Sequence, residues 1–191
     1  MRFLTPLLYV FVAASSVLAL TPQEIINTLN DLRYQANAIT PKLEKLYDPK
    51  VQSTLQDVLD SKAPLDALTA DYIQFGYDVG TTEGQVLDQS TANALADAAK
   101  QHSQALSTMG VALARGLFTY DRYSHDLYEK GCKDGVEIGL DAIALFSVLG
   151  VKFPNTITTV VVEGLLEVVR VPLQQLSAAE CFVPILPPIA I

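Results

Sequence analysis

Apolar residues recur at alternating steps of three and four over most of this chain, and that spacing restricts its fold more than any other feature. Steps of three and four place side chains on one face of an α-helix, whereas a strand alternates with a step of two. The pattern predicts an all-α protein built as a single bundle of five to seven heptad-patterned helices. The longest stripe contains Ala92, Leu95, Ala99, His102, Leu106, Met109, Leu113, Gly116, Tyr120, Tyr123 and Leu127.

Helix starts in the first half of the chain are indicated by capping residues and prolines. Residues 21–24, Thr-Pro-Gln-Glu, read as a capping box with proline at the first helical position. Pro41 interrupts the stripe that follows, so this element is either kinked or two helices in series. Asp48-Pro49 repeats the cap and proline and predicts a short helix through Val58, and Pro64 predicts the start of another.

The second half predicts two more helices after the long stripe. Gly131 is expected to stop the long helix, and the next is expected to run from about residue 133 to 149. The last spans about residues 155–179, where a narrow polar line at helical spacing outweighs a strand-like run of valines. Pro172 is expected to kink or end it.

The first nineteen residues read as an export signal. Arg2 is their only charge, an apolar run follows, and Val17 and Ala19 are suited to signal-peptidase cleavage before Leu20. The run is too short for a comfortable membrane span, so we expect no integral span in the mature chain. The sequence thus divides into a signal peptide (1–19), a helical bundle domain (20–182) and a Pro-rich apolar tail (183–191). We expect a secreted protein, extracellular or associated with the cell wall.

Charge and cysteine content narrow the possible partners. The formal net charge of -8 repels phosphate backbones, so nucleic acid is not an expected partner. Cys132 and Cys181 are the two cysteines, and in an oxidising compartment they are expected to form one disulfide. No sequence pattern points to a cofactor.

Catalytic and metal-binding patterns are weak. The sequence contains no Gly-x-Ser-x-Gly pentapeptide and only two histidines. His102 falls on the long apolar stripe, which favours a core or groove-edge position. His125 and Glu129, four residues apart, supply too few ligands for a metal site and read as a solvated ion pair. We therefore expect no enzymatic activity.

Two further clusters have a structural and a functional interpretation. Asp134, Glu137 and Asp141 follow one another at helical spacing, as in a cation site or, more simply, a solvent-facing helix surface. The second cluster is aromatic and reads either as core or as a lip around an apolar opening. Its members are Phe118, Tyr120, Tyr123 and Tyr128.

Half of the residues are apolar and only 18% are charged, which leaves more apolar helix surface than one core requires. Small residues at facing positions, such as Gly110 and Gly139, either leave space between helices for an apolar ligand or simply allow close packing. No metal site is expected. The candidate lining residues are His102, Leu106, Met109, Ile143, Ile157, Val161, Leu165 and Val168.

The pattern resembles small secreted helical proteins of ascomycete fungi. The resemblance is carried by the Leu20-Thr21-Pro22 start, the first helix through Leu46 and the segment from Gln101 to Phe118 with its histidine. These proteins include the UV-inducible small secreted proteins and, more loosely, the hydrophobic-surface-binding and cell-wall galactomannoprotein group. The resemblance implies an extracellular or wall-associated helical protein that binds lipids or coats apolar surfaces.

The leading hypothesis is a secreted, non-catalytic protein that binds a fatty-acid-like ligand between its helices, or a hydrophobic surface. The alternative is a secreted structural, cell-wall or host-interacting protein with a dry core and a protein partner. A hollow between the helices favours the first, and a dry interior with a large exposed apolar patch favours the second.

Overall fold

Five helices make up the described part of the chain. The computed structural model describes residues 20–155 and 159–181, with the side chains of 20–155, 165 and 168–181. The helices are α1 (Pro22–Tyr47), α2 (Leu55–Thr81), α3 (Gln89–Tyr123), α4 (His125–Lys152) and α5 (Thr159–Ala178). The predicted all-α bundle is confirmed. The predicted signal peptide (1–19) and tail (183–191) lie outside the described residues.

Capping side chains set the starts of α1, α2 and α3. Thr21 and Glu24 form the predicted capping box of α1. Thr54 and Asp57 form a second box that begins α2, and Asp88 caps α3. The short helix expected after Asp48 is wrong, because residues 48–51 make a turn there instead.

Prolines lie inside three of the helices without ending them. Pro41 lies within α1, Pro64 within α2 and Pro172 within α5. The expectation that Pro64 starts a new helix is therefore wrong. An internal proline costs a helix about 3 kcal/mol, yet buried residues on both sides of Pro64, such as Val58 and Leu65, hold α2 together by tertiary packing.

The break between α3 and α4 falls at Ser124, within the long stripe. Ser124 is extended (φ -169°, ψ 130°), so Leu127 belongs to α4. The stop expected at Gly131 is wrong. A Cβ at Gly131 would lie 2.9 Å from Leu117 Cδ2, so this glycine allows α3 and α4 to pack closely. The apolar stripe continues across the break because α3 and α4 each turn an apolar face toward the same core.

Helices α1 to α4 form a four-helix ring, and α5 packs outside it. α3 lies along α1 and α4, α2 lies along the other sides of α1 and α4, and α2 barely meets α3. α5 packs across α3 and α4. None of the five described helices combines the length and the apolar character that crossing a membrane requires.

Polar pairs join helices inside the four-helix ring. Ser61 Oγ lies 2.8 Å from the hydroxyl of Tyr120, and Lys62 Nζ lies 2.7 Å from Asp134 Oδ2. Asp134 is buried, so the expectation that it faces solvent is wrong. Burial alone would lower the pKa of Lys62, but its hydrogen bonds to Asp134 and Asp66 outweigh burial and raise it. Burial raises the pKa of Asp134, and Lys62 opposes that effect.

Candidate apolar ligand site

A wholly apolar seam runs where α5 lies against α3 and α4, and we call it the α5 seam. Its described walls contain no polar side chain, in contrast to the interior of the four-helix ring. The lining residues are Leu106, Met109, Gly110 and Leu113 from α3, Gly135, Ile138 and Gly139 from α4, and Val169, Pro172 and Leu173 from α5.

Glycines allow α5 to approach the ring closely. A Cβ built at Gly110 would lie 2.4 Å from Pro172 Cβ, and one at Gly139 would lie 2.6 Å from Leu173 Cδ2. Such distances are far below van der Waals contact, so the side chains of α5 occupy the space that the missing side chains leave. The α5 seam keeps a cavity of about 10 Å³. Ligand pockets are about 300–1,000 Å³, so the seam is closed in this structure.

Two specific attachments of α5 lie at its C-terminal end. Cys132 and Cys181 form the predicted disulfide, with Cα atoms 5.3 Å apart. The hydroxyl of Tyr128 donates a hydrogen bond to the carbonyl oxygen of Ala179. Both contacts hold the end of α5 against the first turns of α4.

The predicted lining residues divide into several environments. Leu106 and Met109 line the α5 seam. Leu165 is buried, whereas Ile143 and Val168 are half-buried. Ile157 lies outside the described residues, and so does the side chain of Val161.

Residues of the α5 seam that the sequence analysis missed include Gly135, Ile138, Pro172 and Leu173. A signal for the glycines was present, because Gly131, Gly135 and Gly139 recur at steps of four. That spacing places all three on one face of α4. Pro172 and Leu173 had no comparable signal, because a proline at position 172 indicates only a kink or an end of the helix.

His102 is fully buried in the four-helix ring, one turn before Leu106 on α3. Its Nε2 atom is hydrogen-bonded to the hydroxyl of Tyr72, and its ring centroid lies 6.1 Å from that of Phe146. Burial lowers the pKa of His102 to about 3, and the positive charge of Arg33 acts in the same direction. The imidazole is therefore neutral over the physiological pH range.

Tyr72 is buried beside His102 and is neutral as well, because its hydroxyl keeps its proton. Burial, with a smaller contribution from the carboxylate of Asp141, raises the pKa of Tyr72 well above its usual range. The two side chains thus form a neutral hydrogen-bonded pair between α2 and α3.

The other polar candidates lie apart from the α5 seam. His125 Nδ1 is 3.0 Å from Asp121 Oδ1 and 72% of its side chain is exposed. The hydrogen bond to Asp121 raises the pKa of His125 despite a small opposing effect of burial. Within the described ranges, no group of three or more histidine, cysteine, aspartate or glutamate side chains could hold a metal ion.

The four aromatic residues of the predicted cluster lie in different environments, and two of them, Phe118 and Tyr128, line one groove of about 200 Å³. Tyr120 is fully buried, whereas Phe118 is 80% exposed on the same helix. Tyr123 and Tyr128 each donate a hydrogen bond to a backbone carbonyl, of Ser53 and Ala179 respectively.

An open groove beside the disulfide offers more space than the α5 seam. It encloses about 630 Å³ along an apolar stripe of α4. Its rim carries the carboxylates of Glu129, Glu137 and Glu180 beside His125 and one lysine, Lys133. Lys133 already lies 3.7 Å from Glu137. This excess of negative charge disfavours an anionic head group.

Comparisons with known proteins show the fold and stop short of a family. No protein-family model matches the chain, and no curated protein matches it either. The chain is similar in structure to AFMP4P, solved in complex with palmitic acid, with a TM-score of 0.63 and 15% sequence identity. The similarity covers 83% of this chain and 97% of AFMP4P, so the two share a helical fold along nearly the whole of AFMP4P.

Proposed function

We propose that this protein binds the acyl chain of a fatty-acid-like ligand in the α5 seam. The observation that carries the proposal is a wholly apolar seam closed by one helix that is not part of the four-helix ring. The similarity to AFMP4P supports it, because that protein of the same fold was solved with palmitic acid.

The described walls of the α5 seam contain no polar contact that an entering acyl chain would break. Its cavity of about 10 Å³ has room for one water molecule at most, and its described walls offer that water no polar partner, so an entering acyl chain displaces side chains and not ordered water. Leu173 and Leu176 occupy the space beside Gly139 and Gly135, and leucine side chains can change rotamer. The disulfide holds the C-terminal end of α5 while the rest of the helix moves away from the ring.

We also propose that the protein is secreted and non-catalytic, and related to the UV-inducible small secreted proteins. The first nineteen residues support secretion, because they have the charge, apolar run and cleavage pattern of an export signal. The absence of catalysis is supported by the histidines. His102 is buried and neutral, and His125 is paired with Asp121 on the surface.

A fluorescent fatty-acid titration tests the ligand, together with lipid extraction and mass spectrometry of the purified protein. Leu173→Ala enlarges the α5 seam, so we expect saturable binding that is several-fold tighter than in the wild type. Leu29→Ala, at a fully buried position of α1 outside the seam, is the matched control and should leave the affinity unchanged. Truncation of either leucine costs about 2–5 kcal/mol of folding free energy, so both variants are compared well below their melting temperatures.

Two results contradict the proposal. One is the absence of both co-purified lipid and saturable binding in a folded protein. The other is an equal change of affinity in both variants, because that would reflect destabilisation and not the seam. Either result favours the alternative, a secreted structural or host-interacting protein with a protein partner. The small residual cavity of the α5 seam is the observation that supports this alternative.

A further inference from the structure

One nitrogen of His102 is buried without a hydrogen-bond partner. Among the described residues, nothing accepts from or donates to Nδ1, although the ring is completely shielded from solvent. Buried polar atoms are nearly always satisfied in folded proteins, because water is lost on burial and must be replaced. An unpaired atom at such a place needs an explanation, and a ligand atom is one.

The hydrogen bond to Tyr72 indicates whether Nδ1 of His102 is a hydrogen-bond donor or an acceptor. If the Tyr72 hydroxyl donates to Nε2, then Nδ1 carries the ring proton and only one donor is left unpaired. If Nε2 donates to Tyr72 instead, both the hydroxyl proton and the Nδ1 lone pair are left unpaired. The first arrangement leaves fewer buried groups unsatisfied. Nδ1 is therefore a donor, and its missing partner is an acceptor.

The register of α3 and α4 places His102 one helical turn beyond the α5 seam along α3. Gly135 of α4 lies against Leu113 of α3. Phe146, eleven residues after Gly135, lies beside His102, eleven residues before Leu113. His102 precedes Leu106, an α5 seam residue, by one helical turn of about 6 Å along the axis. An acyl chain that extends one helical turn past Leu106 thus reaches the level of His102 along α3.

We propose that the Tyr72–His102 pair binds the head group of the fatty-acid-like ligand. The acyl chain lies in the α5 seam, and a carbonyl oxygen of the carboxyl group accepts a hydrogen bond from Nδ1 of His102. This inference rests on the proposed function and adds the recognition of one end of the ligand. The pair selects a ligand with an acceptor oxygen over a plain hydrocarbon chain of the same length.

The experiment uses palmitic acid labelled with ¹³C at the carboxyl carbon and protein labelled with ¹⁵N in its histidines. In the wild-type protein, we expect the ligand to shift the His102 Nδ1 resonance, and the bound carboxyl carbon to give a signal distinct from that of free palmitic acid. The spectra of the wild-type protein need no variant, so they test the contact even if a variant fails to fold.

A pair of double variants supplies the affinity measurement. His102→Leu with Tyr72→Phe removes both polar partners together, so neither is left unsatisfied, and we expect about ten-fold weaker binding of palmitic acid. Ser61→Ala with Tyr120→Phe removes another buried polar pair between α2 and α3 and should change the affinity less than two-fold.

The outcomes separate this inference from the proposed function. Wild-type protein that binds palmitic acid with an unchanged Nδ1 resonance, or equal affinities for both double variants, overturns the head-group contact and leaves acyl-chain binding intact. Wild-type protein that binds no palmitic acid overturns both. A shifted Nδ1 resonance together with selective loss of affinity in the His102 double variant supports the assignment.

Discussion

The four-helix ring and the α5 seam are both buried, but they are held together differently. Inside the ring, directional contacts such as Ser61–Tyr120 and Lys62–Asp134 join one helix to another at defined positions. The described walls of the α5 seam offer only apolar contacts, and glycines bring the helices together there. Directional bonds specify one arrangement of neighbouring helices, whereas apolar contacts tolerate rearrangement. The difference assigns rigidity to the ring and adaptability to α5.

The largest expected effect comes from removing the disulfide by Cys132→Ala with Cys181→Ala. The bond closes a loop with a sequence separation of 49 residues. Its loss should lower the free energy of unfolding by about 4 kcal/mol on the chain-entropy estimate. Urea unfolding measures the loss, and hydrogen exchange locates it. We expect faster exchange in α5 than in α1–α4, and equal acceleration in all helices would mean that the two regions are one cooperative unit.

The next effect is a dependence of the free energy of unfolding on pH, caused by His102 in the four-helix ring. The folded pKa of His102 is about 3, below its ordinary value of 6.5. Between these values the unfolded chain binds a proton that the folded chain does not, so stability is complete above pH 6.5 and falls as the pH is lowered. The slope is about 1.4 kcal/mol per pH unit, which gives about 2–3 kcal/mol between about pH 6 and pH 4.

Chemical unfolding at a series of pH values measures this slope. The His102→Leu, Tyr72→Phe double variant lacks the titrating group, and its slope should be shallower by the same amount. The capping carboxylates of Glu24, Asp57 and Asp88, whose pKa values are lowered mainly by hydrogen bonds, are common to both proteins and cancel in the comparison. Identical slopes for the two proteins would show that His102 does not report on the ring.

The smallest expected effect is the change in stability when one glycine of the α5 seam and one glycine of the four-helix ring are each replaced by alanine. Gly110→Ala places a Cβ against Pro172, a rigid ring that cannot change rotamer, and should cost about 1–3 kcal/mol by overpacking. Gly76→Ala, inside the second half of α2, meets nothing within 4 Å and should gain about 0.5–1 kcal/mol from helix propensity. Thermal unfolding measures both. A stabilising Gly110→Ala would mean that α5 does not pack as closely on α3 as described.

The apolar stripes predicted most of the fold, because burial of one helix face repeats a simple period in the sequence. The capping box at Thr21 and the pairing of Cys132 with Cys181 were also predicted, since each depends on a local pattern or on only two cysteines. Breaks in helices were predicted poorly. Pro64 was expected to begin a helix, but packing on both sides keeps α2 continuous, whereas Ser124 ends α3 with no proline or glycine nearby.

The candidate site was only partly predictable for a related reason. Leu106 and Met109 belong to a stripe that the period reveals. Which glycine meets which side chain of α5 depends on how two distant helices lie against each other. The burial of Asp134 depends in the same way on Lys62 from another helix. A one-dimensional pattern does not contain such pairings, so they appear only when the helices are assembled.

The position of the disulfide has a consequence for a cleaved molecule. Because Cys132 lies near the start of α4 and Cys181 follows α5, any single peptide bond broken between them leaves two fragments that are still covalently joined. A protease that cut this stretch once would not release α5 into solution. The nicked protein would migrate as one species on a gel until a reducing agent separated its two pieces.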